Sequence, residues 1–228
     1  MKLIHWNIHM WLTEDEQPNY KSVKEFIKNL NPDIVTLTEV EDNYKKGIIN
    51  KLAKELDYMY IFCPCFDFIY DKVRYSFGNA ILSKTPFANI EHKIITPVEF
   101  LYDGNEPSEP RSVTWTELYN IPNFKIGITH LPRKKKEYRE FAIKKLKTSV
   151  YEKEKFVLSG DFNISKSDLK NFFYNFDISP AEKINTYPCS NPKEDIDHII
   201  YNGIKVKACR TIENYASDHF PIIFDFEI

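Results

Sequence analysis

Short apolar runs alternate along the chain with segments whose apolar residues recur at helical spacing. Runs of roughly four to eight residues bounded by turn signals are typical of buried strands. They predict strands over residues 3–8, 33–38, 58–63, 76–82, 87–95, 111–118, 124–129, 156–158, 196–201, 206–211 and a last segment that ends at 226. Helical spacing predicts helices over 23–30, 48–56, 141–150 and 169–176, the first of which Asn31-Pro32 ends. Because helices and strands alternate from the start, the pattern favours a layered α/β domain.

Glycine and proline add local signals to this pattern. Gly78-Asn79 lies inside a predicted strand, where a glycine indicates a bulge or a close approach of another backbone. Asn202-Gly203 predicts a tight hairpin that pairs the strands on either side of it. Residues 97–110 are acidic and contain prolines, and we expect a long surface loop there, which is either functional or mobile. No repeat or linker interrupts the sequence, so we expect one domain over residues 1–228.

One predicted strand is followed directly by polar residues. The apolar run 156–158 ends at Ser159-Gly160, which breaks the pattern and lets the backbone turn. Asp161 and Asn163 follow, and on a continuing strand their spacing places both side chains on one side. A carboxylate binds a hard cation or accepts a proton, and a carboxamide orients a phosphate or a water. An Asx-type turn is the alternative interpretation of the same residues.

The composition is that of an ordinary soluble globular protein. Of 228 residues, 43% are hydrophobic and 28% charged, so a sizeable core is expected. The net charge of -2 and the pI of about 6.3 give no overall sign of a nucleic-acid binder, so any basic surface must be local. One basic run stands out, and it consists of Arg133, Lys134, Lys135, Lys136 and Arg139. It is either a solvated helix start or a surface that attracts phosphates.

Four cysteines lack the spacing of a zinc or redox motif, so we expect free thiols in a reducing compartment. The N-terminus has no secretory h-region, and no apolar run reaches membrane-spanning length. We therefore expect a cytoplasmic protein without a membrane anchor, or one exported by a route that the sequence does not show. We also expect a monomer.

Polar residues recur just beyond the predicted strands, where the ligand sites of layered α/β sheets gather. They are Asn7, Glu39, His130, Asp161, Asn163 and the pair Asp218-His219. This set of acids, amides and imidazoles suits hydrolysis of a phosphate ester. Glu39 and a second carboxylate would hold Mg²⁺ or Mn²⁺, which polarises a phosphoryl oxygen. His219, backed by a carboxylate, would act in proton transfer or hold the phosphate.

The order of these motifs along the chain resembles the endonuclease/exonuclease/phosphatase superfamily, which includes deoxyribonuclease I and abasic-site endonucleases. Each motif is weak alone, but together they run in order from end to end. The motifs are Trp6-Asn7, Thr38-Glu39-Val40-Glu41, Gly78-Asn79-Ala80-Ile81-Leu82-Ser83, Thr129-His130-Leu131, Ser159-Gly160-Asp161-Phe162-Asn163, Ile196-Asp197-His198-Ile199 and Ser217-Asp218-His219-Phe220-Pro221-Ile222. The resemblance implies an α/β fold, a four-layer sandwich of two mixed β-sheets flanked by helices.

The resemblance also implies a metal centre and substrate contacts. Glu39 would be the main ligand of Mg²⁺ or Mn²⁺, with Asn7 beside it and Asp218 on the metal side. Asn7, Asn79 and Arg133 are the expected substrate-binding residues.

Five residues would carry the reaction in this family pattern. Asp161 would activate or align the attacking water, and Asn163 would orient that water or the phosphate. His219 would touch the scissile phosphate, and Asp197 would fix its orientation and tautomer. His130 would stabilise the phosphoryl group or protonate the leaving oxygen.

The sequence departs from the family pattern at His9, where some members have an acid, which puts a second metal ligand from that position in doubt. His5 and His9 are expected to be strand histidines with satisfied hydrogen bonds, and His198 is expected to be structural. The alternative for Glu39 is an acid at a helix N-terminus, and for Asp197 a buried acid paired with an arginine. The partner of His130 is sought near Arg74, Tyr75 and Asn79. Four aromatic residues are candidates for stacking on a base, namely Tyr70, Tyr75, Phe100 and Tyr102.

These observations predict a metal-dependent phosphodiesterase that uses an activated water and forms no covalent intermediate. A nucleic acid or nucleotide is the expected substrate. The alternatives are a phosphatase or phosphodiesterase for a lipid headgroup or small phosphate ester, and a catalytically silent binding module on the same fold.

Overall fold

The computed structural model describes residues 1–43, 47–96, 109–180 and 184–228. The strands in these ranges are β1 (Lys2–Asn7), β2 (Ile34–Asn43), β3 (Met59–Tyr70), β4 (Val73–Ser83), β5 (Phe87–Ile94), β6 (Ser112–Leu118), β7 (Ile121–His130), β8 (Phe156–Asp161), β9 (Asp177–Ser179), β10 (Asp197–Asn202), β11 (Lys205–Thr211) and β12 (Ile222–Glu227). The helices are α1 (Tyr20–Leu30), α2 (Ile48–Leu56), α3 (Lys136–Tyr151) and α4 (Lys166–Phe172).

The strands form two sheets of six, in the orders β11-β12-β1-β2-β4-β3 and β5-β6-β7-β8-β10-β9. Each sheet contains one parallel pair, β1 with β2 and β7 with β8, and its other neighbouring strands are antiparallel. Both sheets are therefore mixed, as predicted.

Three apolar clusters separate the layers. Residues of both sheets, such as Leu3, Ile81, Ile128 and Phe224, form the cluster between the sheets. A second cluster packs α1 and α2 on the outer face of the first sheet, and a third packs α3 and α4 on the second sheet. This arrangement confirms the four-layer α/β sandwich. Within the described residues, no helix is long and apolar enough to cross a lipid bilayer.

The strand signals were correct in position but too short in places. β8 does not end at Ser159-Gly160, because Gly160 lies inside the strand, where a Cβ would stand 2.4 Å from the Thr129 carbonyl oxygen. The same reason explains Gly78 in β4, where a Cβ would stand 2.1 Å from the Cys63 carbonyl oxygen. The predicted close backbone approach at Gly78 is therefore confirmed. The predicted strand 58–63 runs on to Tyr70 as the first arm of a long β3–β4 hairpin.

The predicted hairpin around Asn202-Gly203 is wrong. Gly203 has a φ of +68° and does turn the chain, but β10 pairs with β8 and β9, whereas β11 pairs with β12 in the other sheet. The turn signal therefore marks a crossing between sheets. The predicted helix 169–176 is also misplaced: α4 begins at Lys166, where the Ser165 hydroxyl accepts a hydrogen bond from the Asp168 N–H, and ends at Phe172.

Candidate active site

The carboxyl ends of the two parallel pairs meet where the sheets face each other. Asn7 ends β1, while His130 and Asp161 end β7 and β8 and stand opposite each other in register. The Asn7 amide nitrogen spans the two sheets and donates hydrogen bonds to a carboxylate oxygen of Glu39 and one of Asp161, each at 3.1 Å. The Asn7 amide oxygen accepts a hydrogen bond from the His9 N–H at 3.1 Å. Asn7 thus holds two carboxylates side by side.

Glu39 reaches the site from a β-bulge. The register of β2 against β4 shifts between Leu37 and Val40, and Glu39 has a φ of +55° within that shift. The bulge turns an extra residue out of the regular ladder next to the end of β1. The alternative of a helix N-terminal acid is excluded, because Glu39 lies inside a strand.

The strand does not continue past Asp161, so the Asx-type turn is the correct interpretation of the spacing, yet both side chains line the same pocket. The Asn163 N–H donates to Asp161 Oδ1 at 2.9 Å, which is the Asx-type turn, and Asn163 has a φ of +52°. The Asn163 amide nitrogen then lies 2.8 Å from the Leu131 carbonyl oxygen and 3.2 Å from His130 Nε2. The turn therefore places both side chains at the end of β7. His130 is contacted by Asn163, whereas Arg74 forms an ion pair with Asp67 on β3.

A buried ion pair forms the floor of the site. His219 Nδ1 lies 2.7 Å from Asp197 Oδ2, which also accepts a hydrogen bond from the Thr186 hydroxyl at 2.6 Å. Asp197 Oδ1 lies 3.4 Å from His5 Nε2. Burial opposes protonation, but the Asp197 carboxylate outweighs it and raises the pKa of His219 to about 10. Asp197 is thus paired with histidines and not with an arginine.

The two site imidazoles differ in charge. Burial, with the positive charges of Arg111 and His219 nearby, lowers the pKa of His130 well below its usual value. His130 is therefore neutral at pH 7, whereas His219 is a cation. Burial, with the charge of Asp197, raises the pKa of the Asp161 carboxyl, and burial also raises the pKa of Asp218.

A pocket of about 280 Å³ opens onto these groups. One side of it is formed by acids, imidazoles and an amide, namely Glu39, His130, Asp161, Asn163, Asp218 and His219, and we call it the acid–imidazole side. The other lining residues are His9, Glu109, Arg111, Pro132, Arg133, Lys134, Lys135, Tyr138 and Tyr187. We call Arg111, Arg133, Lys134 and Lys135 the basic wall. Three of its members come from the basic run, whose other two residues, Lys136 and Arg139, lie in α3 and are not in the pocket lining.

Arg133 connects the basic wall to the acid–imidazole side. Its guanidinium donates to the Asn163 amide oxygen at 3.4 Å and to Glu194 at 3.0 Å, and it lies 4.5 Å from the Tyr187 ring centre. The Tyr187 ring centre is in turn 4.7 Å from that of His219.

Arg111, Tyr187 and His9 are among the pocket residues that were not proposed for the site from the sequence. Arg111 is only 6% exposed, packs 5.5 Å from the Phe77 ring centre and pairs with Glu109. Nothing in its local sequence marks it beyond its position at the start of a predicted strand. Tyr187 follows no strand signal. His9 was expected in a strand with satisfied hydrogen bonds, and this is wrong: it follows β1 in a 3-10 turn, and its Nδ1 has no hydrogen-bond partner among the described residues.

Several other candidates lie away from the pocket lining. Asn79 is buried opposite Cys63 in the β3–β4 hairpin, so its role in substrate binding stays a prediction. Tyr75 stacks on Phe68, and Tyr70 is 71% exposed. His198 is buried with Nε2 at 3.1 Å from the Ile164 carbonyl oxygen, as expected for a structural histidine. His5 lies in β1, as expected, with Nδ1 at 3.2 Å from the Thr36 hydroxyl, but its Nε2 has no hydrogen-bond partner among the described residues. Phe100 and Tyr102 lie outside the described residues.

The donor set of the site fits a divalent cation. One ligand atom each from Glu39, His130 and Asp161 lies within 4.8 Å of the others. Asp161, Asp197 and His219 form a second group at similar distances, but its His219 is paired as a cation with Asp197. Carboxylate oxygens suit Mg²⁺ and Mn²⁺, and an imidazole nitrogen suits transition ions.

Comparisons with known proteins identify the family. The profile of the Endonuclease/Exonuclease/phosphatase family matches residues 4–219. No curated protein matches the sequence. An endonuclease/exonuclease/phosphatase family protein from Leptotrichia buccalis has a similar structure, with a TM-score of 0.77 at 18% identity over 100% of both chains.

Two further solved structures carry specific names. A mannosyl-6-phosphatase from Bacteroides thetaiotaomicron gives a TM-score of 0.73 at 16% identity over 100% of both chains. The human Nocturnin catalytic domain with bound sulfate gives a TM-score of 0.76 at 19% identity, over 100% of this chain and 93% of that one. These likenesses show the shared fold, and the profile match covers most of the sequence. The chain therefore belongs to the endonuclease/exonuclease/phosphatase family of phosphoester hydrolases.

Proposed function

We propose that the protein is a Mg²⁺- or Mn²⁺-dependent phosphodiesterase that hydrolyses a nucleic acid or nucleotide with an activated water. The observation that carries this proposal is the meeting of Glu39 and Asp161 with a neutral His130 and a cationic His219 in one pocket. Phosphoester hydrolysis needs a group that aligns water and groups that stabilise charge on the phosphoryl oxygens, and this set offers both.

The proposed cation ligands are Glu39 and Asp218, with Asn7 orienting the Glu39 carboxylate. A bound Mg²⁺ or Mn²⁺ would polarise a phosphoryl oxygen and neutralise developing charge. The presence of the full acid and imidazole set argues against a catalytically silent binding module.

The chain's own side chains then have distinct tasks. Asp161 is fixed by hydrogen bonds from the Asn7 amide and the Asn163 N–H, so its carboxylate is positioned to align a water. His219 is held as a cation by Asp197, so it would donate a hydrogen bond to a phosphate oxygen and not accept a proton. His130, being neutral and fixed by Asn163, would contact the phosphoryl group or the leaving oxygen.

The basic wall supports an anionic substrate that extends beyond the scissile phosphate. A nucleotide or a nucleic-acid strand carries further phosphates that these cations would attract. The same wall also favours a second candidate, a phosphatase, because a terminal phosphate carries more negative charge than a diester. One of the proteins with a similar fold, from Bacteroides thetaiotaomicron, is named a mannosyl-6-phosphatase.

Hydrolysis of bis-p-nitrophenyl phosphate and p-nitrophenyl phosphate, measured in parallel with Mg²⁺, Mn²⁺ or a chelator, tests this proposal. We expect cleavage of the diester that the chelator abolishes, followed by cleavage of labelled single-stranded DNA or RNA. Faster hydrolysis of the monoester, with a larger loss of activity on the monoester than on the diester in Arg133→Gln, would instead establish the phosphatase. Inactivity on all of these substrates, with intact cation binding, would contradict both candidates.

A further inference from the structure

The segment after β1 has a backbone conformation that is rare for residues other than glycine. His9, Met10 and Trp11 have φ angles of +46°, +52° and +67° in consecutive positions. L-amino acids visit this left-handed region as single residues and seldom in a row. Such outliers persist only where the surrounding structure imposes them, and they cluster at functional sites.

Tertiary contacts impose this conformation. The Trp11 indole N–H donates to the Glu41 carbonyl oxygen at 2.6 Å. The buried Asn19 amide donates to the carbonyl oxygens of Ile8, Leu12 and Ala216 at 3.2, 2.7 and 2.5 Å. These contacts tie the turn to β2 and to the segment before Asp218, and they fix where the His9 side chain lies.

The result is a histidine nitrogen that faces a carboxylate without bonding to it. His9 lines the pocket, and its Nδ1 lies 3.6 Å from Asp218 Oδ2, which is too long for a hydrogen bond. This nitrogen is buried and has no hydrogen-bond partner in the described parts of the chain. Two ligand atoms bound about 2.1 Å from one cation lie roughly 3 to 4 Å apart, which includes this distance.

We propose that His9 and Asp218 are a nitrogen–oxygen ligand pair that makes the metal centre prefer Mn²⁺ to Mg²⁺. Imidazole is a poor ligand for Mg²⁺, which favours oxygen, whereas transition ions accept nitrogen readily. Replacing His9 by an acid would give an all-oxygen set suited to Mg²⁺. This inference rests on the cation dependence proposed above, and it assigns His9 as a residue that determines metal specificity.

Pulsed electron paramagnetic resonance of the Mn²⁺-loaded protein tests the nitrogen ligand without any assay of activity. We expect nitrogen coupling to the bound ion in the wild type, and its loss or reduction in His9→Asp. The matched control is His92→Asn, because His92 lies on β5 against Thr114 and outside the pocket lining. Coupling that is absent in the wild type, or unchanged in His9→Asp, would overturn the inference.

Calorimetric titration with each ion tests the preference itself. The ratio of Mg²⁺ to Mn²⁺ dissociation constants should fall about tenfold in His9→Asp, and His9→Asn is the second variant if the first does not fold. An unchanged ratio would overturn the inference. Absence of any cation binding would overturn both this inference and the proposed function, whereas nitrogen-coupled binding without hydrolysis of any ester would overturn the proposed function alone.

Discussion

Glu39, Asn163 and His9 all carry side chains into the pocket from backbone with positive φ. Such conformations cost roughly 1–3 kcal/mol each, and the surrounding packing must offset that cost. The sequence indicated Glu39 and Asn163 because their residue types and positions after strands suit phosphate chemistry. It could not indicate the bulge or the left-handed turns, because they are imposed by contacts that are distant along the chain. His9 was misassigned for that reason.

The strain at Glu39 predicts a measurable difference between two variants. Glu39→Gly and Glu39→Ala both remove the carboxylate, but only glycine adopts a φ of +55° without steric cost. We expect the glycine variant to be more stable than the alanine variant by about 1 kcal/mol, or about 2–4 °C in Tm. Thermal unfolding by circular dichroism without added metal measures this difference, and equal melting temperatures would show that the bulge is unstrained.

At the scale of the elements, two strands lie so close to a neighbouring backbone that only glycine fits, and composition does not reveal these contacts. Gly160 allows β8 to pass against the Thr129 backbone, and Gly78 does the same for β4 against β3. The sequence located most strands because alternation and apolar runs are local signals. It did not assign β10 and β11 to different sheets, because the local turn at Gly203 fits either pairing and register partners lie far apart in the chain.

Gly160→Ala should destabilise the protein far more than Gly203→Ala. The new methyl group at position 160 would meet backbone, which cannot move aside, whereas at position 203 its nearest neighbour is the flexible Lys155 side chain at 3.1 Å. We expect losses of about 2–3 kcal/mol against about 1 kcal/mol in the free energy of unfolding. Denaturant titration measures both losses, and a smaller loss for Gly160→Ala would contradict the assigned strand packing.

A charge network across three strands of the second sheet predicts that the stability of the protein depends on pH. Glu117 on β6 accepts hydrogen bonds from Lys125 on β7 and Asn89 on β5, each at 2.9 Å. The bond from Lys125 is the main cause that lowers the pKa of Glu117 below 4.5. Because the folded-state pKa is depressed, the stabilisation is present above about pH 4.5 and is lost as the pH falls through that lower pKa.

Glu117→Gln should therefore lower the Tm by about 2–4 °C at pH 7, and this difference should shrink as the pH falls below 4.5 and the wild-type carboxylate becomes protonated. Glu140→Gln is the control, since Glu140 pairs with Lys136 on an exposed helix face and contributes little. A Tm difference for Glu117→Gln that grows as the pH falls below 4.5 would contradict this account.

At the scale of the whole molecule, two mixed sheets each bring one parallel pair of strands to a shared edge. The ends of β1 and of β7 and β8 meet there, and the bulge of β2 lies beside them, so residues more than 100 positions apart form hydrogen bonds, as Asn7 and Asp161 do. The polar residues that follow the predicted strands, together with the family resemblance, predicted that these strand ends come together. The basic wall was anticipated only in part, because Arg111 reaches the pocket through the packing of β6 and not through a local motif.

The measurement that most directly tests the central claim is chelator-sensitive hydrolysis of bis-p-nitrophenyl phosphate by the wild type and Asp161→Asn. The matched control is Asp177→Asn, an exposed acid on β9 outside the pocket lining. We predict that Asp161→Asn stays folded and loses about 10²–10⁴-fold in kcat, while Asp177→Asn keeps full activity. Wild-type turnover in purified Asp161→Asn, or hydrolysis that survives the chelator, would contradict a metal-dependent reaction at this site.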